Sequence, residues 1–181
     1  MAGVVAVLAL VLVGGWLLMR DEDSAPLAGR PRVTDEAAGV SYAIPEGWRH
    51  RKGEPSDHYT SSLAGKHLGG EGGGMVLAGR YGAVPEHALK REAEQKARTN
   101  AEIFCHDGSS TIVESRATKV SGRSAHTVAV KPGCEEATGH LRLTLIAVDR
   151  SRSAFLVGIA ESAERGEPPV VDLVLESAAV N

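Results

Sequence analysis

Apolar residues are distributed unevenly along this chain. Residues 1–19 carry no charged side chain and are almost entirely apolar. A helix of that length spans about 28 Å at 1.5 Å per residue, close to the thickness of the hydrocarbon core of a bilayer. We therefore expect one N-terminal transmembrane helix. A cleaved signal peptide is the alternative, although the small-x-small site that cleavage requires does not follow. Residues 20–32 contain two prolines and no periodicity, as expected of a linker.

The pattern beyond residue 32 predicts one domain, 33–181. Loose alternation over 33–47 places Val40, Tyr42 and Ile44 on one face of a strand, which ends in a turn at 45–47. Residues 49–56 are polar and predict a loop. Shorter strands are expected at 58–63 and 75–81, joined by the glycine-rich segment 69–74.

Residues 85–104 give the clearest helical pattern. Pro85 suits the first position of a helix, and apolar residues then recur at helical spacing. They form a narrow stripe made mostly of alanine: Leu89, Ala93, Ala97, Ala101 and Phe104.

From residue 111 the hydrophobic period becomes two. Strands are expected at 111–120, 124–131, 139–149 and 154–161, and their short joints predict antiparallel neighbours in a meander. A second helix is expected over 167–178. This order of elements predicts an α+β fold in which helices flank an antiparallel sheet.

Composition and motifs exclude several functions. The chain has 20 Lys and Arg against 23 Asp and Glu, a net charge of −3, whereas a nucleic-acid-binding surface requires a basic excess. The glycine run 69–74 lacks the spacing and the following helix of a dinucleotide site. Ser41 lies in a near-match to a serine-hydrolase elbow, but no helix follows it. None of the seven histidines lies two to four residues from another. We therefore expect no catalytic residues, no metal site and no cofactor.

The two cysteines, Cys105 and Cys134, predict a disulfide, because an even count behind an export-like segment favours pairing. Two unrelated thiols are the alternative. A disulfide places the domain outside the cytoplasm. Arg20 directly follows the apolar segment, and because positive charges favour the cytoplasmic side of a membrane, this residue alone favours the opposite orientation.

The aromatic residues of the first half of the domain suggest a binding function. Tyr42, Trp48, Tyr59 and Tyr81 could line a groove for a ligand or partner, or fill the core beneath the N-terminal strands. The core is the simpler interpretation.

Residues 39–48, Gly-Val-Ser-Tyr-Ala-Ile-Pro-Glu-Gly-Trp, resemble the opening strand and turn of exported PsbP/Mog1-like domains, which are common in actinobacterial cell-envelope proteins. The predicted helix, meander and C-terminal helix follow in that family's order, so the resemblance spans about residues 33–181. It implies an α/β/α sandwich without common catalytic residues. Its members are mostly accessory, ligand-binding or interaction proteins.

Together these observations predict a single-pass protein of the cell membrane, held by residues 1–19, with its domain outside the cytoplasm. The expected function is non-enzymatic binding of an envelope protein or a small ligand. Two alternatives are an assembly or scaffold subunit of an envelope complex and an envelope hydrolase.

Overall fold

The computed structural model of the chain describes residues 26–51, 59–66, 73–104, 110–133, 139–160 and 168–181. The expected transmembrane segment 1–19, the first part of the linker 20–32 and both cysteines lie outside these residues. Among the described helices, none is long and apolar enough to cross a bilayer.

Ten strands and two helices make up the described domain. The strands are β1 Arg32–Asp35, β2 Val40–Ala43, β3 Arg49–Arg51, β4 Ser61–Lys66, β5 Gly73–Gly82, β6 Thr111–Val120, β7 Arg123–Lys131, β8 His140–Ala147, β9 Arg152–Ala160 and β10 Ala179–Val180. The helices are α1 Leu89–Phe104, preceded by a 3-10 turn at Glu86–Ala88, and α2 Val170–Glu176.

All strand pairs are antiparallel, and they form two sheets. The small sheet has the order β1-β2-β10, and the large one has the order β3-β4-β5-β9-β8-β7-β6. The predicted α+β fold, the helix at 85–104 and the meander of β6 to β9 are confirmed. The turn between β6 and β7 contains Ser121 and Gly122, both with positive φ, as a two-residue hairpin turn requires.

Two predictions from the N-terminal part of the domain are wrong. Residues 33–47 do not form one strand, because the chain reverses between β1 and β2. Asp35 accepts a hydrogen bond from the Ala38 backbone N–H at 2.9 Å, and Gly39 supplies a positive φ of 73°. Residues 49–51, predicted as loop, form β3, because β4 pairs with them despite their exposed basic side chains. β4 itself starts at Ser61, later than the strand predicted over 58–63.

The large sheet carries a hydrophobic core on each face. On one face, α1 packs its alanine stripe against Val128, Leu143 and Phe155 and their neighbours on β7, β8 and β9. On the other face, α2 and the small sheet enclose a second core that includes Leu63 and Val171. Helices therefore lie on both sides of the sheet, in agreement with the expected sandwich.

Trp48 lies in the second core, above a pair of glycines. Gly65 and Gly74 are directly opposite each other on β4 and β5, and Trp48 is only 5% exposed. A Cβ added at Gly65 would lie 2.5 Å from Cγ and Cδ1 of the indole, and one at Gly74 would lie 2.8 Å from its Cη2. The indole Nε1 donates to the Lys66 carbonyl oxygen at 3.2 Å. Any side chain at these two positions would displace the indole.

Candidate functional site

Three chain connections meet at one end of the large sheet. β5 ends and α1 begins across residues 83–88, β6 turns into β7 at 121–122, and β8 turns into β9 at 148–151. The register places them together, since Gly82 pairs with Arg152 and Ala147 pairs with Ser153. We call residues 83–88, 121–122 and 148–151 the cleft end, because three surface clefts open around them.

The first cleft, of about 530 Å³, lies between residues 83–86, 122–124 and 147–150. The second, of about 500 Å³, lies between the start of α1 and the strands β6 and β7. Glu86 and Ser124 line both clefts, so the two adjoin each other. Both volumes fall within the range of about 300–1,000 Å³ that is typical of sites for small ligands.

The third cleft, of about 440 Å³, lies beside α1 and is lined in part by Tyr81, His87, Arg91 and Glu92. The Tyr81 hydroxyl donates to Glu92 Oε2 at 3.2 Å, and Arg91 donates to Glu92 Oε1 at 2.9 Å. Both hydrogen bonds lower the pKa of Glu92, and the one from Arg91 contributes more than the one from Tyr81. The wall of this cleft is therefore fixed by charge and by hydrogen bonds.

Behind that wall, aromatic side chains and one lysine fill the space between α1 and the sheet. Lys96 Nζ lies 3.9 Å from the ring centroid of Phe155 and 4.9 Å from that of Tyr81. Tyr59 meets Phe155 edge to face at 5.9 Å, and its hydroxyl donates to Asn100 Oδ1 at 2.8 Å. Burial raises the pKa of Tyr59 and lowers the pKa of Lys96. Tyr59 and Tyr81 thus hold α1 onto the sheet.

Tyr42 and Trp48 lie on the opposite face of the large sheet, in the core beneath α2. Tyr42 is fully buried, its hydroxyl lies 2.9 Å from Ser61 Oγ, and burial raises its pKa to about 12. The structure therefore does not bring Tyr42, Trp48, Tyr59 and Tyr81 into one groove. The sheet separates them into two pairs.

One serine–histidine–glutamate contact lies next to the second cleft. Ser115 Oγ donates to Glu94 Oε1 at 2.7 Å and lies 2.9 Å from His126 Nε2. Because the single hydroxyl hydrogen is directed at the carboxylate, His126 is the donor in the second contact. A catalytic triad needs the reverse, a serine that donates to an imidazole oriented by an acid. This contact instead joins α1, β6 and β7.

A second network of charges connects α2 to the sheet. Asp172, nearly buried, lies 2.7 Å from His140 Nε2 and 2.9 Å from Arg142 Nε. The Arg142 N–H is not aligned with the carboxylate, so this contact is an ion pair rather than a hydrogen bond. Arg142 also reaches Glu114 at 2.8 Å, and hydrogen bonding from Arg116 lowers the pKa of that glutamate. The sequence shows no local spacing that could predict this network, because its members come from distant strands and a helix.

No metal centre is evident in the described ranges, where no three His, Cys, Asp or Glu side chains come together as ligands. The predicted pair Cys105 and Cys134 lies outside those ranges, between described elements. α1 precedes Cys105 and β7 precedes Cys134, and these two elements pack against each other.

The sequence matches no protein-family model and no curated protein. Solved structures, by contrast, match most of the described domain. The solution structure of cyanobacterial PsbP (CyanoP) from Synechocystis matches with a TM-score of 0.58 at 15% identity, over 83% of this chain and 92% of that one. This chain has the PsbP fold.

A second protein with a similar structure is LpqN of Mycobacterium tuberculosis. Its crystal structure matches with a TM-score of 0.52 at 10% identity, over 83% of this chain and 90% of that one. LpqN is described as involved in cell envelope biogenesis. The PsbP/Mog1-like resemblance inferred from residues 39–48 is therefore confirmed at the level of the fold.

Proposed function

We propose that this chain is a non-enzymatic binding module of the cell envelope, held at the membrane by residues 1–19 with its PsbP-fold domain outside the cytoplasm. The apolar N-terminal segment supports the anchoring, and the even number of cysteines supports the orientation. The shared fold with LpqN, an envelope protein by its description, supports the compartment.

The cleft end carries the proposed binding function. It is where three clefts of ligand size adjoin. Of the aromatic residues expected to line a groove, Tyr42 and Trp48 are buried in the second core, and only Tyr81 lines one of these clefts. Ser124, on β7, contributes to both of the larger clefts. We assign the ligand site to this end of the domain.

The position of the cleft end agrees with a membrane anchor. Arg30, near the start of the described chain, is ion-paired with Glu46 at 2.7 Å, two residues before Trp48. Trp48 covers Gly65 and Gly74, which lie toward the opposite end of the sheet from Gly82. A chain anchored through its N-terminus thus presents the clefts away from the membrane.

The contact of Ser115 with Glu94 and His126 supports a binding function over the hydrolase alternative. The serine hydroxyl donates to the Glu94 carboxylate, whereas in a triad it donates to the imidazole.

A bulky substitution in the shared wall of the clefts tests the assignment. Full-length wild type, Ser124→Trp and a control, Thr99→Trp on the exposed face of α1, are purified in a mild detergent and checked for folding by circular dichroism. Small molecules extracted from each are identified by mass spectrometry. We expect a compound that is present in wild type and Thr99→Trp and missing from Ser124→Trp. Identical extracts from three folded proteins would argue against a ligand at the cleft end.

A further inference from the structure

The walls of the first and second clefts carry two lysines and two arginines, although the chain as a whole has a net charge of −3. Lys90 and Lys119 line the second cleft, and Arg123 and Arg150 line the first. Within the described part of the chain, none of these four cations has an ion-pair partner, whereas six other basic side chains do: Arg30, Arg91, Arg116, His140, Arg142 and Arg152.

Two carboxylates also line these clefts, and in the part of the chain that the structure describes neither forms an ion pair with the four cations. Asp149 accepts hydrogen bonds from the Ser151 hydroxyl and from Arg152 Nε, the latter at 2.8 Å. These hydrogen bonds lower the pKa of Asp149, and the one from the Ser151 hydroxyl contributes most. Its charge is therefore compensated by Arg152, outside the clefts. Glu86 is the other carboxylate that lines them, and its side chain is exposed to water.

The second cleft combines this charge with an apolar floor. Leu89, Ala117 and Ala125 supply apolar surface, and the hydroxyls of Thr118 and Ser124 supply hydrogen-bonding groups. Burial lowers the pKa of His126, which also lines the cleft; the charge of Glu94 raises that pKa, and the charge of Lys90 lowers it by a smaller amount.

We propose that the second cleft binds a phosphate ester with an apolar substituent, its phosphate between Lys90 and Lys119 and its apolar part on Leu89, Ala117 and Ala125. Two ammonium groups match the double charge of a phosphate monoester, and lysine is a common phosphate ligand. A volume of about 500 Å³ accommodates one such group and a short apolar chain or ring. This inference rests on the proposed function, since it names a ligand class for the cleft end.

The probe is phenyl phosphate. Phenol and inorganic phosphate, which represent its apolar part and its charged part, are the comparison ligands. Binding to the full chain in an uncharged detergent is measured by titration calorimetry, at low and at physiological salt. We expect phenyl phosphate to bind more tightly than either half, and more weakly as salt rises. The double variant Lys90→Gln/Lys119→Gln should weaken binding by about tenfold or more. Lys131→Gln, an exposed lysine at the far end of β7, should leave it unchanged.

Two results would overturn the phosphate-ester assignment: equal binding of phenol and phenyl phosphate, or wild-type affinity in the double lysine variant. Absence of binding by all three probes would also overturn it. The proposed function fails separately, when the Ser124→Trp extract equals that of wild type.

The same titration distinguishes the two sources of such a ligand. Full chain in nanodiscs of phosphatidylcholine is compared with a second set to which lysophosphatidic acid is added as a monomer in solution, because the clefts face away from the membrane. Weaker binding of phenyl phosphate in the second set indicates a lipid phosphate, and equal binding indicates a soluble ester. Either result presupposes that phenyl phosphate binds in the second cleft.

Discussion

The contact between Trp48 and Gly65 predicts a specific energetic coupling. Gly65→Ala places a methyl group where the Cβ would lie 2.5 Å from two atoms of the indole. Since Trp48 is enclosed by the second core and only 5% exposed, it cannot move away freely. Overpacking of this kind costs about 2 kcal/mol of unfolding free energy. Truncation of a buried tryptophan, Trp48→Ala, costs about 4 kcal/mol.

The double variant should be more stable than the sum of the two single changes implies. Once the indole is absent, the methyl group at residue 65 has space, and the cost of Gly65→Ala largely disappears. We therefore expect Gly65→Ala/Trp48→Ala to lose about 4 kcal/mol rather than about 6, a coupling of about 2 kcal/mol.

Urea unfolding followed by far-ultraviolet circular dichroism measures all four proteins, because the signal does not depend on the tryptophan that is removed. Gly82→Ala is the matched control: it lies at the end of β5, and an added Cβ there meets nothing within 4 Å. Additive single costs, or equal costs for Gly65→Ala and Gly82→Ala, would refute the packing described for Trp48.

Three further predictions concern the cysteines, the orientation and one histidine. A bond between Cys105 and Cys134 should leave no free thiol in denatured, unreduced protein, and reduction should lower the free energy of unfolding by about 3.5 kcal/mol on the chain-entropy model; two alkylated thiols would exclude the bond. Alkaline phosphatase fused after Asn181 should be active, whereas an inactive enzyme together with a fluorescent GFP fusion would place the domain inside the cytoplasm. Burial lowers the pKa of His126, so the unfolded chain takes up a proton first as pH falls through the ordinary histidine value of 6.5. The urea midpoint should consequently fall more between pH 7 and pH 5 in wild type than in His126→Gln, and equal decreases would contradict the burial of that imidazole.

The second half of the domain could be predicted from sequence because its information is local. The strands of the meander are rich in apolar residues and follow one another through short connections, so neighbours in sequence are neighbours in the sheet. The alanine stripe of α1 likewise defined the buried face of the helix. Neither result depends on distant residues.

The first half depends on partners that are far apart in sequence. Arg49 and Arg51 are exposed and basic, and only their pairing with β4 makes them a strand. Asp35 and Gly39 do carry a turn signal, which the loose alternation over 33–47 conceals.

The position of the clefts could not be predicted for a related reason. Tyr42 and Tyr81 both belong to strands, yet which face of the large sheet a strand residue meets depends on register and on the sheet that contains it. The clefts are built from three chain connections that no sequence pattern brings together.

The order in which the strands are synthesised differs from the order in which they pair. β5 pairs with β9, and β2 pairs with β10, whose neighbour Asn181 donates its backbone N–H to the Gly39 carbonyl oxygen at 3.1 Å. β2 and β5 therefore each remain without one of their final neighbours until β10 and β9 have been synthesised. For a chain exported as proposed, this late closure would favour passage through a translocation channel that admits only unfolded polypeptide.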